Sequence, residues 1–144
     1  MCARQALRET GMRRGVVVVV RRAGRLLVIR RAAHIVAGGA WCFVGGAIDP
    51  GETPAEAVVR EFREEVGGRV QPLRPVWHYV RPDRSLHLEW WLADLDGQEL
   101  TPNPAEVAEL RWCHPDEIAQ LPGILENNLA FLNEVGRRLA EEQD

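Results

Sequence analysis

The chain is poor in cysteine: Cys2, Cys42 and Cys113 are odd in number, lie far apart and form no CxxC pair. That usage excludes a disulfide framework and a zinc site, and it fits a reducing cytoplasm. Long apolar runs are missing as well. The strongest, GVVVVV from Gly15 to Val20, runs straight into Arg21 and Arg22, so it is too short for a signal sequence or a membrane span and reads as a buried strand. There is no positive charge excess, since the net charge is −3 with 27% charged and 46% hydrophobic residues. Neither a disordered chain nor a strongly basic nucleic-acid binder is therefore the default class. Internal repeats and low-complexity linkers are absent too, and 144 residues suit one domain with a sizeable core.

Lysine is missing altogether: all 18 basic residues are arginine. They are spread unevenly. Through Arg31 there are nine arginines against one acid, a balance of +8, and after it nine against twenty, a balance of −11. Biased codon usage accounts for the lysine gap, and so does a set of early arginines facing phosphate, which the planar guanidinium fork suits.

Residues 1–14 have no period and read as a loosely held arm before a single domain at 15–144. GVVVVVRR and RLLVIRR flank Ala23-Gly24 and predict a two-strand hairpin. After a Gly/Ala loop, WCFV predicts a short strand that delivers the chain to the pair Gly45-Gly46. Two strands around RPDR, a further short strand at ELRWCHP, a short helix at HPDEIAQL and a long helix from Gly123 to Glu141 complete the pattern. The order predicts an α/β (α+β) sandwich with a mixed sheet.

The segment after Glu52 carries three helix-start signals: Thr53 as cap, Pro54 at the first position and Glu56 closing a T-x-x-E capping box. Gly67 supplies the stop. At roughly 100° per residue, Ala55, Val58, Val59, Phe62 and Val66 share a core-facing arc, and Glu61, Glu64 and Glu65 share another. Three carboxylates at these spacings repel one another in water. Such a set is either an ordinary solvated face or the ligand set of a divalent ion such as Mg²⁺ or Mn²⁺, which also bridges phosphate oxygens. The glycine pair just before it lets the backbone approach a ligand closely, which marks Gly46 as a substrate contact.

These residues resemble the Nudix box, G-x5-E-x7-R-E-U-x-E-E-x-G-U with U aliphatic, laid on Gly46, Glu52, Arg60, Glu61, Phe62, Glu64, Glu65, Gly67 and Gly68. Every fixed polar or glycine position agrees, and Phe62 and Gly68 depart at the aliphatic ones. IRRAA, GETPAEAVVRE and RPDRSLHLEWWLADLDG extend the likeness to the MutT-like branch of the family. The resemblance implies an α/β/α sandwich with a mixed sheet and a metal-dependent pyrophosphohydrolase acting on a nucleoside diphosphate linked to another group, foremost a nucleoside triphosphate. Nucleotide-sugar or ADP-ribose pyrophosphatase, or a non-catalytic nucleotide-binding module, are the alternatives. It further implies Mg²⁺ or Mn²⁺ held by Glu61, Glu65, Glu64 and the Gly45 carbonyl. Arg60 and Glu52 would orient that set, and Glu106, in preference to Glu109, would add a ligand. The implied partner is a small nucleotide, with no nucleic acid and no membrane, and a homodimer stays open.

By position in the MutT-like branch, Arg31 is a candidate phosphate contact and Asn127 or Asn128 a candidate reader of the base. The alternation in SLHLEWWLADL puts Trp90 on a core face and Trp91 on the more polar one, which makes Trp91 the candidate for stacking in a substrate groove. His34, His78, His87 and His114 show no metal-ligand spacing and read as structural or exposed.

Overall fold

The computed structural model describes residues 12–142. Most of the expected arm, 1–11, lies outside them, while Arg13 and Arg14 already belong to the first strand, with the Arg13 N–H donating to Ser85 O at 3.0 Å. In chain order the elements are β1 Arg13–Val19, β2 Arg21–Arg22, β3 Arg25–Arg31, β4 Trp41–Cys42, β5 Val44–Ala47, α1 Pro54–Val66, β6 Gln71–Val80, β7 Leu86–Asp94, β8 Val107–Cys113 and α2 Pro115–Ala119. The C-terminal stretch is α3 Glu126–Phe131, a π-helical turn Leu132–Gly136 and α4 Arg137–Glu141. The single helix expected from Gly123 thus starts three residues late, because Gly123 stands at φ +72° and breaks the helical path.

One sheet runs β5-β1-β7-β6, with β1 parallel to β7 and both outer pairs antiparallel; the other joins β2, β3 and β4, with β8 on β3. The expected hairpin is real only at its tip. Arg21–Arg22 pair with Arg25–Leu26 around Ala23 and Gly24, both at positive φ, the geometry of a tight two-residue turn. The body of β1 instead lies between β5 and β7. Its valines are buried on both faces, and such a strand belongs in the middle of a sheet.

Alternation along β1 and β3 builds the layers. Val16, Val18, Val20, Leu27 and Ile29 pack with Ala57, Val58, Phe62 and Val66 of α1. Val17, Val19, Leu26 and Val28 pack on the other side with Trp90, Phe131, Leu132, Val135 and Leu139. The result is the expected α/β/α sandwich with a mixed sheet. WCFV proves to be two strands: Trp41–Cys42 pair with β3 and Val44–Ala47 with β1, so the glycine pair lies inside β5 and not after a strand. β5 is an edge strand of its sheet, and both its faces meet open cavities.

The capping box of α1 is formed: Thr53 Oγ1 accepts from the Glu56 N–H at 3.1 Å and Glu56 Oε1 from the Thr53 N–H at 2.9 Å. Thr53→Ala is expected to cost about 1 kcal/mol, a fall of about 3–5 °C in Tm for a chain of this size. A thermal melt checks it.

Candidate active site

Two cavities open on either side of β5. One, about 240 Å³, is lined by β1 residues from Arg13 to Val17, by Phe43, Leu86, Leu88 and Leu125, and by Asn127 and Asn128. The other, about 310 Å³, is lined by Arg60, Glu61, Glu64, Glu65 and Glu106. Arg31, Gly45, Gly46 and Ala47 line both, so the two spaces meet at the sheet edge.

The acidic set is not one solvated face. Glu65 is 6% exposed and the Glu61 side chain 13%, while the Glu64 side chain is 48% exposed. The arc of α1 that carries Glu65 is pressed into the core, because the loop after β7 folds over the helix end: Asn103 N–H donates to Glu65 O and Thr101 N–H to Val66 O, each at 2.8 Å. That loop also brings Glu106 into the cavity. Glu109 lines neither cavity and pairs with Arg30 at 3.0 Å and Arg111 at 3.3 Å.

Arg60 is the hub of the cluster. Its side chain is 18% exposed and grips Glu52 in bidentate fashion, Nε to Oε2 at 2.8 Å and Nη2 to Oε1 at 2.9 Å. Nη2 also donates to Ala47 O at 2.8 Å, and Nη1 to Glu61 at 2.6 Å and Glu64 at 3.3 Å. The bond from Arg60 holds the Glu52 carboxyl below the usual range, and the bond to Glu52, first among several, raises Arg60 further. The guanidinium therefore stays charged and ties α1 to β5.

Glu61 and Glu65 are hydrogen-bonded to each other, and burial pushes both carboxyls up, Glu65 well above the ordinary value; Glu61 and Glu106 add like-charge repulsion on Glu65. Among the described residues no three acidic, histidine or cysteine side chains stand arranged to hold a metal ion, since Arg60 draws Glu61 and Glu64 to itself. The donor chemistry nonetheless fits a hard divalent cation: the ligands are oxygens only, and Glu61 and Glu65 among them are withdrawn from solvent.

Glycines set the approach. A Cβ on Gly46 would fall onto the Glu61 carboxylate, and one on Gly45 onto the Val16 carbonyl. Arg31 donates from Nε to Val36 O at 2.8 Å and stands beside Cys42, whose thiol burial pushes up to about 11 against the lowering effect of Arg31. Of the early arginines, Arg13, Arg14 and Arg31 line the first cavity.

The expected residues are not all brought together. Trp91 lines neither cavity; it packs against the α1-side core and donates from Nε1 to Glu89 at 2.5 Å. The polar face of β7 that suggested a groove is in part covered by that core. Trp90 is fully buried, as expected. His114 caps α2, and His78 Nδ1 lies 3.0 Å from His87 Nε2 on exposed sheet. Phe43, Cys42, Leu125 and the Ala47 carbonyl were not singled out from sequence, and no local signal marks them, since only the crossing of β4 into β5, and the Leu125 N–H donating to Trp41 O at 3.2 Å, put them at a cavity.

The Nudix domain family model matches residues 11–134. The chain belongs to the Nudix family. Nudix hydrolases act on nucleotide phosphoanhydride bonds. A CTP pyrophosphohydrolase of Escherichia coli (strain K12) is 34% identical over 110 residues, 74% of this chain and 79% of that protein. An NAD-capped RNA hydrolase, NudC, of Stutzerimonas stutzeri (strain A1501) is 32% identical over 106 residues, and the chain spans only 38% of its length. Among solved structures, the E. coli ORF135 protein superposes with a TM-score of 0.71 at 26% identity, covering 92% of this chain and 95% of that one. A MutT protein from Methanosarcina mazei Go1 superposes with a TM-score of 0.73 at 19% identity, covering 91% and 96%, and so shares the fold.

The two departures from the Nudix box lie against each other. A Cβ on Gly68 would stand 2.7 Å from the Phe62 ring and 2.5 Å from Leu100. Glycine at 68 therefore leaves room for both Leu100 and the Phe62 ring. Gly68→Val is expected to destabilise the protein by about 1–3 kcal/mol, and Phe62→Leu to recover part of that loss. Denaturant melts of the two single variants and the pair read the coupling.

Proposed function

We propose that this Nudix protein is a Mg²⁺- or Mn²⁺-dependent pyrophosphohydrolase that cleaves a phosphoanhydride bond of a nucleoside triphosphate. The observation that carries the reading is the pair of cavities meeting over Gly45, Gly46, Ala47 and Arg31. A nucleotide laid across β5 puts its base and sugar in the half-apolar space and its phosphates against the carboxylates. Glu61, Glu65 and Glu64, the Gly45 backbone and Glu106 would hold the ion. When bound it supplies charge neutralisation at phosphate and activation of water. The chain's own residues do the rest: Arg60 anchored by Glu52 fixes Glu61, and Arg31 offers a guanidinium where the two spaces join. The buried free thiols Cys42 and Cys113 suit a cytoplasmic setting.

The test is a panel of nucleoside triphosphates, oxidised nucleotides, nucleotide sugars, ADP-ribose and dinucleotides, with Mg²⁺ or Mn²⁺ and product identification. CTP heads the panel because of the 34% identical relative. Turnover of a triphosphate supports the reading. Turnover of ADP-ribose or a nucleotide sugar alone moves the chain to that substrate class, and tight nucleotide binding without turnover makes it a binding module.

The metal also has a stability signature. With folded-state pKa values above the unfolded ones, Glu61 and Glu65 favour the fold at low pH and lose that contribution as pH rises through the raised values. A divalent ion needs them ionised. Saturating Mg²⁺ is thus expected to raise Tm by about 5 °C or more near pH 8 and by almost nothing near pH 5. Equal increments at both pH values would rule out this carboxylate pair as the binding group.

A further inference from the structure

The loop over the end of α1 is held by one residue. Pro102 and Pro104 have no N–H, so Asn103 carries the single backbone donor between Thr101 and Ala105, and it gives that N–H to Glu65 O at 2.8 Å. Asparagine followed by proline is preferred turn chemistry, and the turn is closed. Asn103 O accepts from the Glu106 N–H at 3.0 Å and from the Val107 N–H at 2.8 Å. The side chain acts on the same turn: its Oδ1 accepts from the Ala105 N–H at 3.1 Å, and its Nδ2 donates to Glu106 Oε2 at 3.4 Å. A backbone N–H is donor only, so the amide oxygen must face Ala105 and the NH2 must face Glu106.

Glu106 needs such a hold. It is an exposed residue that lines the cavity of Glu61, Glu64 and Glu65, and like charge there favours turning its carboxylate out to solvent. Glu109, three residues on, is paired with Arg30 and Arg111, which take up its charge. Glu106 is met instead by a neutral amide, which orients the carboxylate and leaves its charge and most of its acceptor capacity open. We infer that Asn103 is a positioning residue for the metal site: its amide holds the Glu106 carboxylate at the cavity without neutralising it, while its backbone fixes the turn against the helix end that carries Glu65. The inference rests on the proposed reading of Glu106 as a ligand.

Asn103→Ser separates the two actions of the side chain. A serine hydroxyl still accepts from the Ala105 N–H and keeps the turn. It is one bond shorter than the amide, whose Nδ2 already stands 3.4 Å from Glu106, so the hold on the carboxylate is lost. Asn103→Ala removes the turn acceptor as well, and Glu106→Gln removes the charge a cation would meet.

The measurement is calorimetric titration of Mn²⁺ into the metal-free full chain and its variants, with circular dichroism melts alongside. Asn103→Ser is expected to keep the wild-type Tm and to weaken Mn²⁺ binding by about five-fold or more, the scale of one hydrogen bond. Glu106→Gln is expected to weaken it by more. In the Glu106→Gln background Asn103→Ser is expected to change nothing further, because both act through one carboxylate. A merely structural Asn103 gives another pattern: Asn103→Ala melts lower, and the affinity follows Tm whichever residue stands at 106. The inference is overturned if folded Asn103→Ser binds Mn²⁺ as wild type does, or if the losses from Asn103→Ser and Glu106→Gln simply add. Unchanged affinity in Glu106→Gln would remove Glu106 from the ligands and the inference with it. Should Asn103→Ser fail to fold, Asn103→Thr, with the same turn acceptor, takes its place. Nucleotide turnover by the wild type together with unaltered Mn²⁺ affinity in Asn103→Ser would sink the inference and leave the proposed reaction standing.

Discussion

Glu65→Gln is expected to lower metal-dependent turnover by about 10²–10³-fold, the scale of removing one preorganised charged partner from a reacting phosphate site, while the protein folds as well as before or better. The two halves of that expectation have one cause. Glu65 is 6% exposed and hydrogen-bonded to Glu61, and burial holds its carboxyl well above the ordinary value. Ionised Glu65 therefore costs stability at neutral pH when no cation is present. A glutamine keeps the shape, can donate from its amide to Glu61, and removes the buried charge. Metal-free melts should show an unchanged or higher Tm, and the stabilisation by Mg²⁺ should shrink. Glu61→Gln is expected to lower turnover alike, with the double variant little worse than either single one, because the two carboxylates act as a unit. Full Mg²⁺-dependent activity in either single variant would mean that these carboxylates are not the metal site.

The glycine pair supplies the second large effect. Gly46→Ala places a methyl on the Glu61 carboxylate, the far end of a flexible side chain, which can swing away. The fold survives with a change of about 1 kcal/mol or less, but Glu61 leaves its place and turnover drops by about 100-fold, as misplacements near 1 Å can do. Gly45→Ala instead pushes against the Val16 carbonyl across the β1–β5 ladder, where only backbone can give way. There the expected loss is in stability, about 2 kcal/mol or more. The pair of variants separates a site defect from a fold defect one residue apart. An active Gly46→Ala enzyme would show that Glu61 does not need its observed position.

How much of this was legible beforehand depends on the range of the contacts involved. The start and stop of α1 were readable because Thr53, Glu56 and Gly67 act on neighbours within a turn. The alternation that buried Trp90 was readable for the same reason, yet it misdirected attention to Trp91, since nothing in one strand says what covers its other face. The hairpin around Ala23-Gly24 was right at the turn and wrong along its length. Local turn chemistry chose the tip, but burial on both faces sent β1 between β5 and β7.

The same division runs through the site. By itself the sequence determined the family, the helix that carries Glu61, Glu64 and Glu65, and the arc they share, because a 3.6-residue period and a nine-position motif are properties of the chain alone. Only the tertiary structure decided which of those carboxylates are buried, that Glu106 and not Glu109 joins them, and that Gly68 lies against Phe62. Each of those outcomes rests on segments far apart in sequence: β5 against α1 through Arg60 and Ala47, the 101–106 loop against the end of α1, and Leu100 against Gly68. Burial and desolvation arise only where such segments meet, and they turn an acidic helix face into a candidate metal site.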